Sequence, residues 1–103
     1  MRLHHVQVSI PQGGEDQARS FYGDALGMTE VPKPPSLAGR GGCWFRAFDG
    51  EAVVAEIHLG VDTPFVPAKK AHPALVLASR EELEVLGAVI ESAGFEVSWE
   101  ERH

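Results

Sequence analysis

Two segments of this chain carry the same spacing. His5 stands 22 positions before Gly27, and His72 stands 22 positions before Gly94, so one unit recurs at an offset of 67 residues. Each unit reads as a histidine at a strand start, an amphipathic helix, a terminal glycine and a short strand. The repeat predicts an α+β fold built from two such units. The chain has 103 residues, 44% of them hydrophobic. That supports one domain with a shared core rather than two independent ones.

The first unit spans residues 1–61. Its opening stretch, Leu3-His4-His5-Val6-Gln7-Val8-Ser9-Ile10, alternates with period 2. Val6, Val8 and Ile10 share a face with His4 and feed a core, which favours packing or partial burial for His4. His5, Gln7 and Ser9 share the other face, which is either a solvated outer surface or the wall of a cavity holding a metal or ligand. Pro11-Gln12-Gly13-Gly14 breaks the strand. Ala18, Phe21, Tyr22, Ala25 and Leu26 then line one helical face, ended by Gly27. A short strand over 28–31 leads into residues 32–42, which are too rich in proline and glycine to predict anything regular. This loop is either a lid or a plain connection.

Residues 43–48 and 52–61 predict two further strands joined by a turn at Asp49-Gly50. In the second of them Glu56 and His58 fall on the same face, so a carboxylate and an imidazole project together from an otherwise apolar strand. Trp44 and Arg46 likewise share a face on the preceding strand.

Residues 62–71 predict a connector, and 72–103 a second module. Residues 72–78 and 95–99 read as strands. Between them Ser79-Arg80-Glu81-Glu82 is a capping box, and Leu83, Leu86, Ile90 and Ala93 form the apolar face of a helix that stops at Gly94. The counterpart of the first unit's hairpin would begin at about position 110, so the second module reads as strand-helix-strand only. Sheet edges left unpaired in this way predict cover from a partner chain, as in a homodimer, or from further residues.

The formal net charge of −6 lacks the basic footprint that nucleic acid requires. One cysteine, Cys43, forms no intramolecular disulfide and fits a reducing compartment, and no buried-membrane stretch or export signal is evident. The expectation is a cytoplasmic protein without membrane or nucleic-acid partners. Cys43 reads as packing, and Arg40 within Gly-Arg-Gly-Gly lacks the strand-loop-helix context of a phosphate cradle.

The stretches Leu3-His4-His5-Val6-Gln7-Val8, Ala18-Arg19-Ser20-Phe21-Tyr22-Gly23-Asp24-Ala25-Leu26-Gly27-Met28, Glu56-Ile57-His58-Leu59-Gly60 and Ala71-His72-Pro73-Ala74-Leu75 resemble the vicinal oxygen chelate superfamily. That superfamily includes glyoxalase I, fosfomycin-resistance proteins, extradiol dioxygenases and bleomycin-resistance proteins. The resemblance implies two βαβββ modules forming a curved, incomplete barrel-like sheet around one cleft, with the helices outside, and a divalent metal bound by residues from four strands; imidazole and carboxylate ligands suit Zn, Ni, Fe, Mn or Co. In matching positions His5 and His72 are the opening ligands of the two modules, and the fourth-strand ligand falls at His58 or Glu56. The last ligand would sit near position 125, which this chain does not carry.

A metal of this kind would polarise two neighbouring oxygens of a small, oxygen-rich substrate. Glu56 is the candidate for moving a proton, and Gln7, Trp44 and Arg46 are candidates for lining the substrate. Two functions follow, ranked ahead of a purely structural or assembly domain. One is a metal-dependent lyase, isomerase or dioxygenase using His5, His58 and His72. The other is a metal-free small-ligand binder of the bleomycin-resistance type.

Overall fold

The computed structural model describes residues 1–100. Four strands, β1 (Val6–Pro11), β2 (Thr29–Val31), β3 (Cys43–Asp49) and β4 (Ala52–Asp62), form one sheet in the order β1-β4-β3-β2. The β3–β4 and β2–β3 pairs are antiparallel, whereas β1 and β4 run parallel, because the chain returns to β1 only after its crossover helix and two further strands. This is the βαβββ module that the first unit predicts.

The register explains the core. Val6 lies opposite Ile57 and Val8 opposite Leu59, while Phe45 and Cys43 meet Ile57 and Leu59 from the other side. Alternation sends all of these to one face. There Phe45, Ile57 and Leu59 are each 1% exposed, packed with Ala18, Met28 and Cys43. Burial pushes the Cys43 thiol up, consistent with a packing role rather than a nucleophile.

The helix over this face begins as α1 (Glu15–Ala18) and widens into a π-helical stretch, Arg19–Ala25. The widening is visible in the Leu26 N–H donating to the Phe21 carbonyl at 2.9 Å, five residues back. It sets two adjacent aromatic rings to different tasks. Tyr22 stacks on Phe45 in the core, and Phe21 meets Phe95 edge to face at 5.1 Å, tying the second unit to the first. Arg19 links this helix to β2 through Glu30, at 2.9 Å.

The segment expected to be irregular contains a 3-10 helix, Pro35–Arg40. Pro35 occupies its first turn, where a missing N–H costs nothing, and the Leu37 N–H closes a turn onto the Pro34 carbonyl. The loop is also pinned. The Gly42 N–H donates to Glu15 Oε2 at 3.2 Å, and Lys33 Nζ donates to the Gly41 carbonyl.

The second unit departs further from expectation. Its helix, α2 (Arg80–Ser92), forms with the predicted cap, Ser79 Oγ accepting from the Glu82 N–H at 3.1 Å. Residues 72–78 and 95–99, predicted as strands, form no ladder. The strand order of the first unit gives the reason. There β1 and β2 are opposite edges and never pair with each other; each is held only through β4 or β3. A unit made of strand, helix and strand therefore contains two strands with no ladder partner between them. Val76 is accordingly 95% exposed. Trp99 lies over α2, close enough that a Cβ at Gly87 would come within 2.5 Å of its ring.

No helix among the described residues is long and apolar enough to cross a membrane.

Candidate functional site

On the face of the sheet opposite the core, the same register assembles the polar residues. Gln7 on β1 and Trp44 on β3 both lie opposite His58 on β4, and Arg46 lies opposite Glu56. Gly60, next along that face of β4, is where Gln7 crosses, since a Cβ there would lie 2.6 Å from Gln7 Nε2. A glycine inside a strand signals such a close approach, and it is the one member of this face that the sequence offers without its use being evident.

His58 is sandwiched. The Trp44 indole stacks on it at 3.7 Å with an interplanar angle of 1°, and the His5 ring stacks on its other side at 3.9 Å. This three-ring pile crosses β3 and β4 to the residue just ahead of β1. It leaves the His58 side chain buried, although nothing of the hydrophobic core touches this face. His4 is exposed rather than partly buried: it precedes β1, so the sheet's alternation does not govern it, and its Nδ1 lies 2.8 Å from His5 Nδ1.

Glu56 joins the two halves of the face. Arg46 Nε donates to its Oε1 at 2.7 Å, and its Oε2 lies 2.6 Å from His58 Nε2. The Glu56 side chain is 4% exposed. Burial pulls its carboxyl pKa upward, but the hydrogen bonds from His58 and Arg46 and the Arg46 charge outweigh this, and the net direction is down. For His58 burial dominates and lowers the pKa, with the bond to Glu56 opposing it. The pair therefore rests as a carboxylate accepting from a neutral imidazole.

The sign of the resulting pH dependence is fixed. Both folded-state values lie below the ordinary ones, 6.5 for His58 and 4.5 for Glu56. The stability they contribute is complete above pH 6.5, falls as acid reaches the folded His58 value, and falls again below pH 4.5. Thermal melts between pH 7.5 and 4 are expected to show this two-stage loss, and a His58→Gln protein should lack the first stage.

The proposed metal ligands are distributed unevenly. His5 and His58 are brought together, but as stacked rings. Stacking faces their π-surfaces to each other, whereas a shared ion needs in-plane nitrogen lone pairs that converge. His72 lies in the connecting region, with its Nδ1 2.7 Å from the Lys70 carbonyl. Glu56 has both oxygens engaged. Among the described residues no group of three His, Cys, Asp or Glu side chains is placed to hold a metal ion.

The βαβββ module is that of a glyoxalase-like fold, and a solved structure is similar over nearly the whole chain. The crystal structure of a Bacillus anthracis protein assigned to the glyoxalase family matches with a TM-score of 0.73 and 43% sequence identity, covering 93% of this chain and 76% of that one. The chain belongs to the glyoxalase family. No protein-family model matches it, and neither does any curated protein.

Proposed function

We propose that this protein binds a small oxygen-bearing molecule against the face formed by Gln7, Trp44, Arg46, Glu56 and His58. One observation carries the reading. Two titratable side chains, Glu56 and His58, are buried together on the side of the sheet away from the core, a costly placement that packing does not call for. Aromatic surface from Trp44 and hydrogen-bonding groups from Gln7 and Arg46 surround them, the combination of apolar wall and few polar groups that small-molecule sites use. Glu56 is the group for moving a proton. Each of its oxygens accepts one hydrogen bond and keeps a second lone pair, and its bond to His58 is a path along which a proton can pass.

The donor set favours a second reading, a metal-dependent lyase, isomerase or dioxygenase. His5, His72 and either His58 or Glu56 would supply the nitrogen and oxygen ligands that divalent first-row metals take. It requires the His5–His58 stack to open and His72 to leave the Lys70 carbonyl.

Metal content and thermal shift separate the two. Under the first reading, small oxygen-bearing compounds raise the melting temperature by mass action without added metal, and wild-type, His5→Ala and His72→Ala proteins purify with equal metal. Metal bound by wild type and lost from both variants would establish the second reading instead.

A further inference from the structure

The guanidinium of Arg46 is only half used. It pairs with Glu56 through Nε alone, and among the described residues its two terminal nitrogens have no hydrogen-bond partner in the protein. An arginine whose task was to neutralise Glu56 would serve best with two parallel bonds to the carboxylate. Here the second carboxylate oxygen goes to His58, so Glu56 holds one edge of the guanidinium while the other stays available. The Arg46 side chain is 36% exposed against 4% for Glu56, which places the available edge outward and the carboxylate behind it.

The surroundings remove competitors. The β2 residues on this face beside Arg46 and Trp44 are Thr29 and Val31, neither of them charged. Glu30, between them, points to the opposite face and is held by Arg19. A chain of net charge −6 thus presents on this face a fixed cation whose nearest carboxylate is buried and already satisfied. Trp44, two residues along β3, adds a planar wall with one face spent on His58.

We infer that Arg46, oriented by Glu56, docks the carboxylate of a small organic acid whose planar or apolar body lies beside Trp44. This rests on the binding reading above and narrows its ligand to an anion. Arginine suits the task because its planar fork matches a carboxylate in two bonds, which a lysine in the same place does not reproduce.

The test compares benzoate with benzamide, and pyruvate with acetone, by NMR titration of the wild-type protein, following the Trp44 indole N–H and the His58 ring signals. The acids are expected to bind at least tenfold more tightly than their neutral counterparts. Arg46→Gln should abolish that preference while leaving the circular dichroism spectrum unchanged, and Arg46→Lys should restore only part of it. Equal binding of acid and neutral partner to wild type would overturn the inference while leaving the binding reading standing, and so would an acid preference that survives in a folded Arg46→Gln protein. If none of the four compounds perturbs either signal, but neutral polyols or sugars do, the carboxylate inference alone fails. If nothing in that wider set binds, the binding reading fails with it.

Discussion

Gly42→Ala is expected to cost on the order of 2–6 kcal/mol, combining the penalty of a non-glycine residue at positive φ with that of an overpacked contact. Gly42 has φ +80° immediately before β3, and a Cβ there would fall 2.1 Å from the Leu59 carbonyl oxygen. That oxygen is backbone of the innermost part of the sheet, so no side-chain rotation relieves the clash. Either the start of β3 separates from β4 or the turn reverses its hand. Both release the Gly42 N–H from Glu15, and with it the pin that holds the 3-10 segment against α1. Urea denaturation should show a lower midpoint with an unchanged slope if the native sheet is retained, and a reduced slope if the β3 end has opened. Gly39→Ala, where a Cβ meets nothing within 4 Å, is the matched control and should be near neutral.

Phe45→Ala is expected to cost about 3–5 kcal/mol, the range for emptying a phenylalanine site in a packed core. Phe45 is 1% exposed and sits where three elements converge: β2 through Glu30, β4 through Ile57, and the π-helical stretch through Tyr22. Gly23, beside the ring, has no side chain to fill the space, and Tyr22 loses the surface it stacks on. With small domains stable by roughly 5–15 kcal/mol, a loss of this size consumes much of the total. The melting temperature is expected to fall far more than for Phe48→Ala, whose ring is 46% exposed on the same strand.

The first module was legible because alternation and helical spacing report which face is buried, and in residues 6–61 those faces found partners. Glu56 and His58 could be placed on one face from their two-residue separation alone. Their company could not. Bringing Trp44 over His58 and Arg46 over Glu56 depends on the register of β3 against β4, including the irregularity between Ala47 and Phe48, and a register is a property of two strands rather than of one. The same limit explains residues 72–78 and 95–99. Alternation describes how a strand would divide its side chains, but it carries no information on whether a ladder partner is at hand. The repeat offset fixes the place of His72 within a unit and says nothing of where that unit's face points. The π-helical widening was hidden for a related reason: Ala18, Tyr22, Ala25 and Leu26 satisfy a 3.6-residue period closely enough that one wider turn leaves no trace in their spacing.

The parallel pairing of β1 with β4 bears on how the protein is made. Val6 finds Ile57 roughly fifty residues further along, so as the chain leaves the ribosome its opening strand must wait, with both backbone edges bare, until the fourth has emerged. The β3–β4 hairpin is local and closes as soon as the fourth has emerged. The pairing that completes the sheet is then the capture of β1 by β4, and it brings Gln7 and His5 up against His58.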